Sequence, residues 1–258
     1  MIRTHPILRL IRIRLTLAST VIALILCIKL GGDLLFTTLI GLATFFAIAH
    51  VCTLAEINDV EVDARKYEVF EFYRKNPNPL VTGEIKYSNA IAISLTLLLI
   101  TTLIGLIIAF NYNIWIIWYA GLAYILIVYY IHVDRGILGN ISQSAATTTC
   151  IYALSNDITL SVIAGLYILL HNINNQIEDY EIEKEFYRTV PVQIGIRNTK
   201  ILGIVLSIIG IVLSYLTVKS FVLVYAIIMI TFILTNKKII DYIRAVNYII
   251  LCLAFLLT

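Results

Sequence analysis

The sequence predicts an all-α membrane protein, a polytopic bundle of about nine transmembrane helices around a central cavity. Of its 258 residues, 60% are hydrophobic and 14% are charged, whereas a soluble domain carries about 25% charged residues. Uncharged apolar runs of about 18 residues recur along the chain, which is typical of membrane-spanning helices. The sequence lacks the alternation of a membrane β-barrel, and only helices or closed barrels satisfy their backbone hydrogen bonds in lipid.

Nine spans are predicted from the apolar runs. They are Leu15–Leu30, Leu34–Leu54, Ser88–Phe110, Asn113–Ile131, Ile137–Leu154, Ile158–Ile173, Ile201–Val218, Phe221–Thr235 and Ala245–Leu257. The basic start of the chain leads into the first span without a small-residue cleavage site, so we interpret this span as a helix of the bundle. We expect residues 1–258 to form one transmembrane domain with two pseudo-repeat halves, about residues 1–110 and 113–235.

The distribution of basic residues predicts an orientation in the membrane. Seventeen of the 19 lysines and arginines lie in segments that a cytoplasmic N-terminus would place in the cytoplasm, and only Lys29 and Lys219 lie on the other side. Cytoplasmic loops carry such an excess of positive charge. We therefore expect a multi-pass protein of the cell membrane, surrounded by lipid, with its N-terminus and active site toward the cytoplasm. The basic residues are spread over short loops, so nucleic acid is not an expected partner.

Two long loops, residues 56–87 and 176–200, resemble each other and hold 12 of the 16 acidic residues. Both contain the pattern I-x-D-x-E-(V/I)-(D/E), which begins at Ile57 in the first loop and at Ile177 in the second. Basic residues, a proline and a glycine follow the pattern in each loop. Such an internal repeat predicts two equivalent acidic helix ends around one cavity.

The spacing of the acids indicates a cation site. Asp59 and Asp63 are four residues apart, as are Asp179 and Glu183, and this spacing places each pair on one helix face. Glu56 shares the first face. Proteins usually bind Mg²⁺ through one or two carboxylates together with substrate phosphates. We expect these five acids to bind two Mg²⁺ ions with a diphosphate between them, and the two pairs to be catalytic.

Basic residues near both motifs extend this prediction to the phosphates. The candidates for diphosphate binding are Arg74, Lys75, Lys184 and Arg188. Metal ions and cations stabilise the negative charge of a departing diphosphate. An apolar bundle with aromatic side chains shelters the allylic carbocation that remains. The residues therefore predict transfer of an isoprenoid chain from a prenyl diphosphate to a lipophilic acceptor.

The order of these motifs resembles that of the UbiA superfamily of intramembrane prenyltransferases. Residues 55–63 are similar to the family's N-D-x-x-D-x-x-x-D, and residues 76–84, which read NPNPLVTGE, to its N-R-P-L-x-x-G. Residues 176–183 are similar to its D-x-x-D-x-x-x-D, and residues 189–195 to its T-L-P-V-x-x-G. The resemblance covers nearly the whole chain and implies a Mg²⁺-dependent prenyltransferase.

A further segment and several polar residues complete the predicted site. Tyr130 and Arg135 lie in a segment that resembles the family's tyrosine–lysine loop before the fifth span, and the resemblance implies that they bind diphosphate. Polar residues near span ends are candidates for binding the acceptor; they are His50, Asn140, His171 and Asn175. Hydrogen bonding to the backbone or between helices is the alternative role for each of them.

Four departures from the family's pattern involve five positions. Ala55 and Glu56 replace the leading Asn-Asp of the first motif, and Asn78 replaces the arginine of N-R-P-L. Gln176 replaces the first acid of the second motif, and Glu183 replaces its last. These departures leave open a specialised or non-catalytic paralogue.

Two other classes of membrane protein match fewer features of the sequence. A CDP-alcohol phosphotransferase carries D-G-x-x-A-R and a second acidic motif in one short segment, whereas here the two acidic pairs are about 120 residues apart. A transporter that couples ions through carboxylates would have them at mid-span, whereas here they lie at the ends of spans.

If the chain is a prenyltransferase of the UbiA superfamily, we expect a geranylgeranyl donor and geranylgeranylglyceryl phosphate as acceptor, as in archaeal ether-lipid synthesis. An aromatic quinone precursor is the alternative acceptor.

Overall fold

The computed structural model describes residues 5–69, 74, 77–112, 115–234 and 237–257. Within these residues, the regular structure consists of thirteen α-helices and one 3-10 helix. The chain divides into two compact units, Met1–Ile117 and Trp118–Thr258. The all-α prediction is confirmed.

Among the described residues of the first unit, three helices are long and two are short. They are α1 (Pro6–Leu10), α2 (Ile13–Lys29), α3 (Leu34–Asn58), α4 (Val60–Val69) and α5 (Tyr87–Asn111). Helix α3 packs against both α2 and α5. It begins at an N-cap, because the carboxylate of Asp33 accepts a hydrogen bond from the backbone N–H of Phe36 at 2.7 Å. Such a cap satisfies an amide that has no partner within the helix.

The second unit begins within α6 (Trp115–His132) and contains the remaining helices. These are α7 (Ile137–Ser155), α8 (Ile158–Glu178), α9 (Tyr180–Glu183), α10 (Val190–Ile194), α11 (Ile196–Leu216), the 3-10 helix Lys219–Phe221, α12 (Val222–Ile233) and α13 (Lys237–Leu257). Helix α8 packs against α7 and α11, and α11 packs against α12. Like α3, helix α8 begins with an aspartate cap: Asp157 accepts from the N–H groups of Thr159 at 2.8 Å and Leu160 at 3.1 Å.

Glycines allow the helices of the second unit to approach closely. A Cβ atom at Gly210 of α11 would lie 2.3 Å from the ring of Tyr225 of α12, and one at Gly203 would lie 2.3 Å from the ring of Phe232. Small residues permit this contact between membrane helices. The aromatic rings of α12 therefore fill the space that these glycines leave free.

The described residues of each of the nine predicted spans lie on a helix or at its ends. Where the chain is described, five helices are long and apolar enough to cross a membrane: α3, α5, α6, α8 and α11. Large apolar side chains on α5 are exposed at helical spacing, including Leu95, Leu99 and Leu103. Lipid is the solvent in which such a surface is stable, so the prediction of a multi-pass membrane protein is confirmed.

Candidate active site

Each acidic motif interrupts a helix at its first aspartate. Helix α3 ends immediately before Asp59 and α4 follows it, while α8 ends immediately before Asp179 and α9 follows it. The backbone angles are φ −94°, ψ 6° at Asp59 and φ −94°, ψ 5° at Asp179. This bridge region is sparsely populated and is where many active-site residues lie. The two motifs that are similar in sequence therefore share their local backbone.

A second hydrogen bond keeps the acids of each pair one turn apart. The backbone N–H of Asp63 donates to the carbonyl of Asp59 at 2.8 Å, and that of Glu183 donates to the carbonyl of Asp179 at 2.9 Å. In the part of the chain that the structure describes, no group of three or more His, Cys, Asp or Glu side chains converges to hold a metal ion. Two carboxylates per motif match the way Mg²⁺ is bound when phosphate oxygens supply further ligands. The donor set thus fits Mg²⁺ with a diphosphate.

Asn78 organises the first motif. Its Nδ2 donates to the carbonyl of Glu56 and to Oδ2 of Asp63, both at 2.9 Å, and its Oδ1 accepts from the N–H of Leu80 at 2.9 Å. Burial raises the pKa of the Asp63 carboxyl, whereas the hydrogen bond from Asn78 and the charge of Arg12 lower it. The residue that replaces the family's arginine thus fixes a predicted metal ligand.

Two arginines from the amino-terminal segment contact the same region. Nε of Arg12 donates to Oε1 of Glu56 at 2.5 Å. Arg9 donates from Nη1 to the carbonyl of Pro77 at 2.8 Å and forms an ion pair with Glu84. Glu56, which we predicted as a metal ligand, therefore has a guanidinium partner.

The other predicted residues of the first unit have local partners. Arg74 donates to the carbonyls of Tyr67 at 3.1 Å and Glu68 at 2.8 Å, so it caps the end of α4. Lys75 lies outside the described residues. His50 is buried, and its Nδ1 lies 2.9 Å from both the carbonyl and the hydroxyl of Ser94, which links α3 to α5. This contact matches the interhelical role that we gave as the alternative to acceptor binding.

Gln176 organises the second motif. Its Nε2 donates to the carbonyl of Arg135 at 2.8 Å, and its Oε1 accepts from the N–H of Val190 at 3.1 Å. Asn140 also donates to the carbonyl of Arg135, at 3.0 Å, and to that of Gly136, at 2.8 Å. Gln176 and Asn140 therefore hold the loop before α7 through its backbone.

The guanidinium of Arg135 lies against aromatic rings. Its Cζ is 4.2 Å from the ring centroid of Tyr187 and 5.8 Å from that of Tyr130. Cation–π contacts of this kind orient a guanidinium while leaving its N–H groups able to donate. The structure thus brings together Tyr130 and Arg135, which the family resemblance singled out.

The remaining cations of the second motif lie on the surface. Lys184 is exposed and forms an ion pair with Glu181 at 2.6 Å. Arg188 is also exposed and lines an open cleft of about 590 Å³ beside Tyr129, Asp134 and Gln193. Arg188 is therefore the more accessible to an anion, whereas the charge of Lys184 is already matched by a neighbouring carboxylate.

The predicted acceptor residues of α8 are half-buried near its end. His171 stacks on the ring of Tyr167 at a centroid distance of 6.1 Å. Asn175 accepts, through its carbonyl, the hydrogen bond from the N–H of Asp179 at 3.1 Å. The neighbouring Asn172 donates to Gln143 at 2.6 Å. Helix α8 is thus tied to α7 one turn before the acidic motif.

Sequence reasoning missed Arg12 beside the first motif and Tyr187 beside the second. Arg12 entered the sequence analysis only as one of many cytoplasmic cations, since nothing local distinguishes it. Tyr187 lies between the second acidic pair and Arg188. Its position beside predicted phosphate-binding cations was the one feature of the sequence that could have indicated its role.

Comparison with known proteins agrees with the motifs. Digeranylgeranylglyceryl phosphate synthase of Methanosphaera stadtmanae is 29% identical over 224 residues, which cover 81% of this chain and 77% of that protein. Two solved structures of a UbiA homologue from Archaeoglobus fulgidus, one bound to DMAPP and Mg²⁺ and the other to GPP and Mg²⁺, have TM-scores of 0.71 at 18% and 19% identity. Each of these alignments covers 98% of this chain and 99% of the other.

A third solved structure, from work on digeranylgeranylglyceryl phosphate synthase in membranes, is also similar. Its TM-score is 0.63 at 23% identity. That alignment covers 97% of this chain and 96% of the other. At these identities, the structural likeness shows the fold. Residues 16–247 match the UbiA prenyltransferase family. The chain belongs to the UbiA prenyltransferase family.

Proposed function

We propose that this chain transfers a geranylgeranyl group from geranylgeranyl diphosphate to geranylgeranylglyceryl phosphate, a step of archaeal ether-lipid synthesis. Its class, an integral membrane prenyltransferase, follows from the family. The resemblance to a digeranylgeranylglyceryl phosphate synthase supports this acceptor. The observation that carries the proposal is the pair of carboxylates one turn apart at the same helix break in each motif.

We further propose that Asp59, Asp63, Asp179 and Glu183 hold Mg²⁺ ions. When bound, Mg²⁺ neutralises the diphosphate and stabilises the charge that develops on it as a leaving group. Arg135 is oriented by Tyr130 and Tyr187 and donates to phosphate oxygens. Apolar helices exclude water, so the allylic carbocation is not hydrolysed.

In the transfer step, the bond between the allylic carbon and the diphosphate oxygen breaks, and the electron pair stays with the diphosphate. The acceptor's hydroxyl oxygen then bonds to the same carbon, and its proton passes to the released diphosphate, the base that the reaction itself supplies. Half-buried polar side chains near the end of α8, His171 and Asn175, are the proposed contacts for the acceptor headgroup. For His50, which contacts Ser94 of α5, and for Asn140, which holds the loop before α7, we propose structural roles within their own units.

We propose that residues 1–258 act as one transmembrane domain built from a repeat, with halves over about residues 1–110 and 113–235. The identical helix breaks at Asp59 and Asp179 support this interpretation. We also propose a cytoplasmic N-terminus and an active site on that side, which the charge distribution supports. In a cysteine-free background, a membrane-impermeant maleimide applied to intact cells should label Lys219→Cys and not Glu61→Cys. The reverse labelling would invert the topology.

The activity is tested with the purified protein in detergent. We would supply labelled geranylgeranyl diphosphate, Mg²⁺ and a panel of glyceryl phosphate and aromatic acceptors. A product that forms with geranylgeranylglyceryl phosphate and disappears with EDTA or in Asp59→Asn supports the proposal. A product that forms only with aromatic acceptors would instead assign a quinone-precursor prenyltransferase. Absence of product with every acceptor would indicate a non-catalytic paralogue.

A further inference from the structure

Arg12 has a backbone conformation that an arginine rarely adopts. It joins α1 to α2 with φ 45° and ψ 57°, in the left-handed region. Its carbonyl nevertheless accepts hydrogen bonds from the N–H groups of Leu15 at 2.9 Å and Thr16 at 3.1 Å, which start α2. A strained residue persists only where the surrounding structure fixes it, and such residues cluster at functional sites. The contacts of the Arg12 side chain identify what fixes it here.

The amino-terminal segment is docked on the first acidic motif. Leu10 is fully buried in a cluster with Ile85 and Ala90. The side chain of Arg9 donates a hydrogen bond to the carbonyl of Pro77. This docking brings Nε of Arg12 to 2.5 Å from Oε1 of Glu56. The Glu56 side chain is 9% exposed and the Arg12 side chain 43% exposed, so the carboxylate is the buried partner.

The pairing of Glu56 with Arg12 bears on metal binding. A buried carboxylate needs a compensating charge, and removing one partner of such a pair is strongly destabilising. If Glu56 bound a metal ion through the oxygen that Arg12 contacts, the guanidinium would lose its acceptor. Asp59 is the residue at the helix break, and Asp63 follows on α4, where its carboxylate accepts a hydrogen bond from the neutral amide of Asn78.

We propose that Arg12 is a positioning residue for the first acidic motif. Its ion pair with Glu56 anchors the end of α3, so that Glu56 serves as a structural acid and Asp59 and Asp63 are the metal ligands of this motif. The inference rests on the proposed function for the metal-binding role of those two aspartates. It also accounts for the departure at Asn78: the neutral amide bonds to the backbone of Glu56, while the positive charge comes from the amino-terminal segment.

The first test is a double-mutant cycle on the full-length protein in detergent with EDTA, read as the apparent unfolding temperature. Arg12→Gly removes the side chain and tolerates the left-handed backbone, and Glu56→Gln removes the negative charge of its partner.

We expect Arg12→Gly to lower the apparent unfolding temperature by about 4 °C or more. The double variant should be no less stable than Arg12→Gly, because a neutral amide at position 56 needs no counter-charge. Arg14→Ala, which removes a nearby exposed arginine, is the matched control and should change little. Strictly additive losses would overturn the pairing.

The second test is the Mg²⁺ dependence of labelled geranylgeranyl diphosphate binding, which requires no turnover. We expect Glu56→Gln, whose amide oxygen can still accept from Arg12, to leave the half-saturating Mg²⁺ concentration within about twofold, and Asp59→Asn, which removes a charged ligand, to raise it by at least about tenfold. Equal increases in the two variants would overturn the inference and make Glu56 a ligand. If binding by the unaltered protein does not depend on Mg²⁺, the proposed function fails, while the EDTA cycle still decides the role of Arg12.

Discussion

Asp59 and Asp179 end two different helices with nearly the same backbone conformation, φ −94°, ψ 6° and φ −94°, ψ 5°. In both cases the N–H of the aspartate bonds to the carbonyl four residues earlier, and its own carbonyl accepts from the acid four residues later. The two motifs therefore share the same backbone geometry at the same position, with one hydrogen bond before and one after each aspartate.

The two break aspartates should be equally essential. We expect Asp59→Asn and Asp179→Asn each to reduce prenyl transfer by at least about 100-fold, because each removes a charged oxygen ligand and leaves a neutral amide of the same shape. The matched control is Glu61→Gln, an exposed acid two residues beyond the first break. Its rate should stay within about twofold of the original. A comparable loss in Glu61→Gln would mean that net charge, rather than ligation at the breaks, governs the rate.

Asn78 should contribute to the stability of the first unit. Asn78→Ala leaves the carbonyl of Glu56 and one oxygen of Asp63 without their shared donor. Losing such buried partners costs about 1–3 kcal/mol, measurable as a lower unfolding temperature in detergent. Asn89→Ala is the control, since Asn89 is exposed at the start of α5. Equal stability of the two variants would show that the Asn78 contacts contribute nothing net.

A carboxylate at position 176, where the family pattern has an acid, should destabilise this protein. Its amide group donates to the carbonyl of Arg135 and accepts from the N–H of Val190. A glutamate at this position keeps the acceptor but sets a carboxylate oxygen against the Arg135 carbonyl. We therefore expect Gln176→Glu to lose about 1–3 kcal/mol of stability and to gain no activity. Gln176→Met, which lacks both contacts, provides the comparison; a Gln176→Glu variant faster than the original would identify position 176 as a lost metal site.

Much of this fold could be predicted because lipid imposes a simple rule on sequence. Apolar runs mark the helices, and the acidic pairs mark the ends of α3 and α8. Helix boundaries were less accurate. The last span was predicted to begin at Ala245, whereas α13 begins at Lys237. Hydropathy detects the part of a helix that lies in lipid, and a helix continues through charged residues once it reaches water.

The contacts that position the site could not be predicted in the same way. Arg12 and Glu56 are 44 residues apart and meet only because the amino-terminal segment docks on the loop after α4. The departures at Asn78 and Gln176 signalled a weakened motif, yet in the structure both amides bond to backbone groups that hold the acidic motifs. A neutral residue that replaces a charged residue of the family can still hold the motif through hydrogen bonds. A single sequence does not show such bonds.

The turns that follow the two motifs depend on glycine to different degrees. Gly83 has φ 70°, and Gly195 has φ 81° with ψ 150°. A Cβ atom would meet nothing within 4 Å at either position, so any cost of alanine comes from the backbone alone. The conformation of Gly195 lies in a region that is essentially restricted to glycine, whereas left-handed conformations near φ 70° are tolerated by some other residues.

We therefore expect Gly195→Ala to cost about 2 kcal/mol or more and Gly83→Ala about 1 kcal/mol. Gly105→Ala is the matched control: it lies within α5 with nothing within 4 Å of its Cβ position, so alanine should stabilise by about 0.5–1 kcal/mol. Thermal unfolding of the three variants in one detergent ranks their stabilities. Because Gly195 separates α10 from α11 directly after the second motif, its variant should also transfer the prenyl group more slowly. A Gly195→Ala variant as stable as Gly105→Ala would show that this turn relaxes without strain.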